Sequence, residues 1–193
     1  MINKRRKTII NGFTIIEILV VIAVISIVGV IIAEIFFNTL RGSNKSSLIT
    51  KIKQNGQTSL EVMDKAIRNA DNVVCISFNG DVLTIELGGI YTRYSIQRPP
   101  ASNSFLAQDH PISFDSTTCD PSTVSLSKPI NITDTTQIKV DIPNYDRLFT
   151  RNKSPGFKDV VSISFQIAPG VEVSNSISSQ IDPIPFATSI GLR

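Results

Sequence analysis

A long apolar run lies near the start of the chain. Residues 13–33 are 21 positions with a single charge, Glu17. At ~1.5 Å per residue a helix of this length measures about 31 Å, which matches the hydrocarbon core of a bilayer. The pattern therefore predicts a membrane-spanning helix over residues 13–36.

A different periodicity follows. Between residues 48 and 72 the apolar or small positions recur every three or four residues, and the intervening positions are mostly charged or polar. We expect this face to pack on a sheet of the same chain, and we expect Gly42, within residues 41–44, to bend or locally unwind the helix. The sequence predicts an amphipathic continuation over residues 37–71, whose apolar stripe is Ile49, Ile52, Gly56, Leu60, Met63, Ile67 and Ala70.

From residue 72 onward the pattern becomes that of strands. Short β-branched runs separated by Asn79-Gly80-Asp81 and Gly88-Gly89 predict a three-stranded antiparallel meander. Proline-rich residues 98–128 predict a long loop, and residues 180–193 carry no clear pattern. The strands expected are 73–78, 82–87, 90–96, 137–142 and 160–167, with shorter ones at 111–114, 123–126 and 171–173.

These elements define an α+β fold: a long N-terminal helix, membrane-spanning in its first half and amphipathic in its second half, packed on an antiparallel β-sheet domain. The domain organisation we expect is residues 1–12 as a basic leader, 13–36 as the spanning helix, 37–71 as its continuation and 72–193 as a β-rich globular exported domain.

Charge is concentrated ahead of the apolar run. Lys4, Arg5, Arg6 and Lys7 precede it without an acidic residue, which favours a cytoplasmic leader and an exported C-terminal part. Lys and Arg number 19 and Asp and Glu 16; without the four leader cations, 15 basic residues face 16 acidic ones, a net charge of −1. A mature protein of that charge gives no reason to expect nucleic acid as a partner.

Two ordinary explanations compete for the apolar run. A secretory signal has a shorter apolar core, ~7–15 residues, and a small-residue cleavage site. An uncut single-pass anchor fits the length. Neither explanation accounts for Glu17, because burying a charge in hydrocarbon costs at least ~2.5–3.5 kcal/mol. Neither explains a glycine between the basic leader and the apolar run.

The segment Gly12-Phe13-Thr14-Ile15-Ile16-Glu17 resembles the processing site of type IV prepilins, the family that includes type IV pilins and type II secretion and competence pseudopilins. The resemblance implies that a prepilin peptidase cuts the Gly12–Phe13 bond and methylates the new amine of Phe13. It also implies other pilin or pseudopilin subunits, an inner-membrane assembly platform and membrane lipid as partners. The chain would reside in the cell membrane as a single-pass protein before entering a surface or periplasmic filament.

Glu17 then has a physical role in assembly. A carboxylate inside a dry helix bundle needs a cation or donor, and the Phe13 amine of a neighbouring subunit would pair with it and set the register of the two helices. The alternative is that Glu17 snorkels to the headgroups.

Residues 60–73 are similar to the late-helix segment of larger minor pseudopilins such as the J-type of type II secretion. That similarity implies a tip or priming subunit. Major or minor role, and pilus, secretion or competence system, stay open.

Two cysteines, Cys75 and Cys119, both fall in the exported part. Outside the cytoplasm a disulfide between them is plausible, and two free thiols are the alternative.

Catalytic chemistry is poorly supported. His110 is the only histidine, and no nucleophile-elbow, phosphate-loop or metal-ligand motif is present, so we expect no enzyme, no cofactor and no metal site. A calcium loop at Asp115 and Asp120 is the metal alternative, although its spacing fits no EF-hand. Four arginines near tyrosines are interpreted as ordinary surface charges, with a DNA-binding patch as the alternative: Arg93, Arg98, Arg147 and Arg151. The competing functional class is a membrane-anchored extracellular binding module tethered by an uncut helix.

Overall fold

The fold is that of a computed structural model, which describes residues 14–114, 118–120, 129–143, 146–153 and 155–193. It confirms the α+β class: one long N-terminal helix precedes antiparallel sheets. Two compact units divide the chain, Met1–Asn44 and Lys45–Arg193. We call them the N-terminal unit and, after the expectation drawn from the sequence, the exported unit. The elements are α1 (Ile15–Asn69), β1 (Asn72–Ile76), β2 (Val82–Leu87), β3 (Ile90–Gln97), β4 (Phe105–Asp109), β5 (Ile130–Asn131), β6 (Ile138–Asp141), β7 (Phe149–Asn152), β8 (Val160–Pro169), α2 (Asn175–Ser178) and β9 (Ile184–Gly191).

The helix α1 is continuous over 55 residues. The unwinding expected at residues 41–44 is wrong, because these positions stay α-helical. A single glycine costs a helix only ~1 kcal/mol relative to alanine, which its neighbours can offset. Nothing lies within 4 Å of a Cβ built on Gly42, so no side chain wedges the helix open there.

Within the exported unit, α1 buries one face. Its buried residues are spaced by three or four and include two that the predicted stripe omitted, Leu48 and Ser59. Ile49 and Leu60, which the stripe included, are only partly buried and flank it. Ser59 is accommodated because its hydroxyl donates to the carbonyl of Asn55 at 2.7 Å. The buried set is Leu48, Ile52, Gly56, Ser59, Met63 and Ile67.

The first sheet has the strand order β1-β2-β3-β4-β5. The predicted meander is confirmed as β1 to β3, and Leu87 pairs with Ile90 across a two-glycine turn. Gly88 and Gly89 both have positive φ, 58° and 80°, which a tight hairpin of this twist requires. β4 pairs with β3 inside the predicted loop, so the expectation of a loop throughout 98–128 is wrong there. The strand expected at 111–114 is absent, and 123–126 lies outside the described residues.

The second sheet is built on β8. This strand pairs with β7 through its first half, with β6 through its last residues and with β9 along most of its length. Alternate β8 side chains are buried: Val161, Ile163, Phe165 and Ile167. Residues 171–173 form a turn and not the expected strand, while β7 and β9 were not predicted.

A close contact joins α1 to β9. The Phe186 ring stacks on Phe165, with centroids 5.5 Å apart, and lies over Gly56. A Cβ built on Gly56 would come within 2.2 Å of the Phe186 ring. The glycine predicted as part of the stripe is therefore the position that admits this aromatic side chain.

A charged contact joins α1 to the loop before β6. Lys51 lies 2.7 Å from Asp134, and the Asn55 side chain accepts from the Asp134 amide at 2.9 Å. Burial would raise the pKa of Asp134, but hydrogen bonds from Lys51, Thr136 and Gln137 outweigh it and lower that pKa well below its ordinary value.

We predict that Gly56→Ala lowers the free energy of unfolding by about 1–3 kcal/mol, because overpacking against Phe186 exceeds the gain in helix propensity. Urea unfolding of the full chain in detergent measures the change. Gly42→Ala is the control and should not destabilise. In a Phe186→Leu background the cost of Gly56→Ala should shrink; an undiminished cost would show that the ring is not its cause.

We also predict acid sensitivity at Asp134. Because its pKa is lowered on folding, its contribution to stability is fully present above the ordinary carboxyl pKa of ~3.9 and is lost as pH falls toward the lower native pKa. Unfolding midpoints from pH 7 to pH 2 should show wild type exceeding Asp134→Asn above about pH 5, with the gap closing below about pH 4. Asp182→Asn, an exposed position, is the control. A gap that persists unchanged at pH 2 contradicts the assignment.

Candidate functional site

The N-terminal unit presents a continuous apolar surface. Residues 15–40 of α1, which we call the apolar segment, are exposed at every position. Among the described residues, α1 is the one helix whose length and composition allow it to cross a membrane. Exposed apolar surface of this extent is unfavourable in water and marks a membrane or a protein interface.

The two hydroxyl side chains within the apolar segment bond to the preceding turn of their own helix. The Ser26 hydroxyl donates to the Ile22 carbonyl, and the Thr39 hydroxyl donates to the Ile35 carbonyl, each at 2.8 Å. Such bonds to the preceding turn remove the cost of carrying a hydroxyl into an apolar medium.

The helix begins with a cap formed by Thr14 and Glu17. The Glu17 amide donates to the Thr14 carbonyl at 3.1 Å and to its hydroxyl at 3.3 Å. A threonine followed three residues later by glutamate is the sequence signal of a capping box, which we did not identify from the sequence. A carboxylate in the first turn is also favoured by the helix dipole.

The Glu17 carboxylate itself has no hydrogen-bond or ion-pair partner among the described residues. The next charged residue along α1 is Glu34, 17 positions later, or ~25 Å along the axis. Any partner of the Glu17 carboxylate therefore lies outside the described residues. The other two predicted site residues, Gly12 and Phe13, lie outside the described residues.

A disulfide joins Cys75 on β1 to Cys119, with Cα atoms 6.2 Å apart. It attaches residues 118–120, in the loop after β4, to the first sheet.

The same loop contacts a buried ion pair. Arg93 donates to Asp109 from Nε at 2.9 Å and from Nη2 at 2.5 Å, and its Nη1 reaches the Thr118 carbonyl at 3.2 Å. Interpreting Arg93 as a surface charge was wrong, since it is buried. Only the cross-strand register of β3 and β4 could have identified Asp109 as its partner.

The remaining arginines of that group differ among themselves. Arg98 pairs with Asp81, and Arg151 pairs with Asp159 while donating to the Val73 carbonyl. Arg147 is exposed and lies over the Phe78 ring.

Other candidates for chemistry are sparse. His110 is exposed and contacts Thr92 and the Tyr91 carbonyl. No group of three metal-ligating side chains occurs in the described ranges, which omit Asp115 of the calcium alternative. A cleft of about 280 Å³ between β6, β8 and α2 has both polar and apolar walls, with Lys139 at its side.

Comparison with known proteins finds no matching family model, no similar curated protein and no similar solved structure.

We predict that the native protein, denatured without reductant, shows no titratable thiol. Replacing both cysteines, Cys75→Ser with Cys119→Ser, should lower the free energy of unfolding by about 2–4 kcal/mol, because the bridge closes an interval of 44 residues. Two thiols per chain in the untreated protein would contradict the bridge. Ser26→Ala, remote from the bridge in sequence, is the control and should leave the free energy of unfolding of the bridged unit unchanged.

Proposed function

We propose that this protein is a pilin-like subunit of a type IV pilus or type II secretion pseudopilus, and that it serves as a minor, tip or priming subunit. The observation that carries the proposal is the apolar segment, exposed throughout and bearing a carboxylate in its first turn with no partner in the described chain. The choice of the type IV prepilin family rests on the sequence resemblance around Gly12 and Phe13.

Assembly would begin with processing. A prepilin peptidase would cut after Gly12, leaving Phe13 as the methylated N-terminal residue. The mature chain would stay in the inner membrane through residues 13–36, with the exported unit outside, until the assembly platform adds it to other subunits.

Pairing of Glu17 with the Phe13 amine of a neighbour removes two uncompensated charges from an apolar bundle at once. The two groups are four residues apart along the helix, so the pairing would offset neighbouring subunits by ~6 Å. The capping bond at Thr14 supports this geometry, because it uses the Glu17 amide and leaves the carboxylate available.

The exported unit is consistent with a subunit that survives without a partner before assembly. It has its own core, which includes Met63, Phe149 and Phe165, and a disulfide suited to an oxidising compartment. No residue constellation in the described chain supports an enzyme. The alternative, a binding module on an uncut helix, has the cleft beside Lys139 as its supporting observation.

We predict that Glu17→Ala is inserted, cleaved and folded but is not incorporated into filaments. Removing one partner leaves the amine buried, at a cost on the order of 3–5 kcal/mol. In cells of the native host, intact mass of the purified chain reports loss of residues 1–12 and gain of a methyl group, and sheared filaments report incorporation.

Glu34→Ala, the other carboxylate of α1's first half, is the matched control and should be incorporated normally. Gly12→Leu should keep the leader. An intact leader on the wild-type protein, in cells with an active prepilin peptidase, would favour the tethered binding module. Normal incorporation of Glu17→Ala would contradict the assembly role and favour the alternative that the Glu17 carboxylate snorkels to the headgroups.

A further inference from the structure

The last strand of the second sheet has one free side. β9 pairs with β8 in an unbroken register, from Gly191 opposite Val160 to Ile184 opposite Ile167. Its other side pairs with no strand in the described part of the chain, and we call that side the open edge. The other strands of at least eight residues, β3 and β8, have neighbours on both sides. β9 is therefore the longest described strand with an open edge.

The register decides which backbone groups of β9 face the open edge. Just past the strand, the Leu192 amide donates to the carbonyl of Asp159, the residue opposite it in the same register, at 3.0 Å. In an antiparallel ladder such hydrogen-bonded pairs alternate with pairs whose N–H and C=O groups point away from the partner strand. The residues that turn these groups to the open edge are thus Pro185, Ala187, Ser189 and Gly191.

These outward backbone groups are available for pairing. Within the described residues, no hydrogen bond reaches the amides or carbonyls of Ala187, Ser189 and Gly191, and all three residues are exposed. Natural edge strands are commonly blocked by charged side chains, prolines or bulges. Pro185 blocks only the start of β9, and from Phe186 to Gly191 the strand has no charge, no proline and no bulge.

The face of β9 that packs on α1 is incompletely covered. Phe165 on β8 is fully buried, whereas its register partner Phe186 is only partly buried. Thr188, the next residue on the same face, is also partly buried. A strand added at the open edge would place alternate side chains on this face, beside Phe186 and Thr188. Apolar residues at those positions would complete the cover.

The flank of α1 nearest the open edge carries an unpaired cation. Asn55 accepts from the amide of Asp134, just before β6, and β6 and β9 lie on opposite sides of β8. Gly56, which the Phe186 ring covers, lies about 100° further around α1, and Lys53 lies about 60° further in the same direction. Lys53 is exposed and has no ion pair among the described residues. A carboxylate on an added strand would find a partner there.

We propose that the open edge of β9 binds an extended segment of a different protein, which joins the second sheet as an additional strand. The segment alternates apolar residues, which face α1, with polar ones, and it carries an acidic residue for Lys53. In this mode of recognition main-chain hydrogen bonds give affinity, and the alternate side chains give specificity. The inference goes beyond the proposed function and rests on it only in taking the chain to be anchored in a membrane.

A second copy of this chain fits the open edge poorly. The strand of this length that it could offer is its own β9. Antiparallel pairing of two β9 strands has a two-fold axis perpendicular to the sheet, which reverses the direction of residues 45–69 of α1 between the copies. Chains anchored in one membrane enter their exported units from the same side. Parallel pairing would turn the small side chains of Ala187 and Ser189 toward the neighbour's α1, which supplies no apolar cover.

Amide hydrogen exchange of the purified full chain in detergent, resolved by NMR, tests the pairing. In the free protein the even-numbered amides of β9, which bond to β8, should be protected, and the odd-numbered amides from 187 to 191 should exchange freely. A peptide in which valine alternates with threonine and aspartate should slow the odd-numbered amides about tenfold. A peptide of the same composition with its valines contiguous is the control and should slow none of them.

Methylation of the peptide nitrogens isolates the backbone contribution. Methyl groups on alternate nitrogens remove the donors along one edge of the peptide and keep every side chain. Of the two alternating sets, one should weaken binding to the wild-type protein about tenfold and the other should leave it nearly unchanged, because only one peptide edge faces β9. Equal effects of the two sets would contradict strand addition.

Substitutions in the protein test the same contact. Ser189→Pro removes an outward amide at the kind of position that Pro185 already occupies in this strand, and it should weaken binding about tenfold at an unchanged unfolding midpoint. Ser189→Ala keeps the amide and is the matched control, which should bind as the wild type does. Lys53→Glu should reverse the preference, so that a peptide with lysine in place of aspartate binds more tightly.

Three outcomes would overturn the proposal. The first is protection of the odd-numbered amides in the free protein, and the second is an alternating peptide that slows none of them. The third is protection that rises with protein concentration in the absence of peptide, which would identify a second copy as the occupant. A chain that binds no peptide yet enters filaments would refute this contact and leave the proposed function intact. A chain that binds the peptide but keeps its leader, in cells with an active prepilin peptidase, would do the reverse.

Discussion

The apolar surface of α1 has to be removed from water, and the chain does this for only part of the helix. From Leu48 to Ile67 the buried face is narrow, six residues of 20, and two sheets cover it. Residues 15–40 are mostly apolar and are exposed at every position. The backbone of α1 forms its own helical hydrogen bonds in both parts. A helix must meet this condition if one part of it is to lie in hydrocarbon.

Coverage of the narrow face depends on how the two sheets of the exported unit are joined. The Phe149 amide donates to the Gly80 carbonyl at 2.9 Å, and the Val140 amide donates to the Ser104 carbonyl at 2.9 Å. These hydrogen bonds attach strands of the second sheet to segments that connect strands of the first. Residues of both sheets share one core with α1. On the first sheet, the Cys75–Cys119 bridge and the Arg93–Asp109 pair hold the same loop by two independent means.

Much of this architecture could be predicted from local pattern. The period of α1, the Gly88-Gly89 hairpin and the alternation in β8 are all short-range signals. β4 and β9 were missed because each lies next to prolines. Pro185 nevertheless lies within β9. In the described chain β9 pairs only with β8, and a strand with one neighbour tolerates a missing amide. The Arg93–Asp109 pair was missed because it depends on register between strands, which residue types alone do not give. Of the three residues that the family resemblance singles out, Gly12, Phe13 and Glu17, only Glu17 lies among the described residues, and its capping bond to Thr14 is a local role that the resemblance did not supply.

The contact between Gly56 and Phe186 has a consequence for biosynthesis. Helix α1 is synthesised early and β9 late, with 130 positions between the two contacting residues. The stripe on α1 therefore stays uncovered during most of translation, and the core closes only after the last described strand has been synthesised. A chain interrupted before β9 leaves the apolar stripe of α1 exposed to solvent. Chaperones bind exposed apolar surface, and proteases cleave chains that fail to bury it. The order of the elements along the sequence thus makes a complete chain the precondition for a closed core, so that interrupted chains expose the surface by which they are cleared.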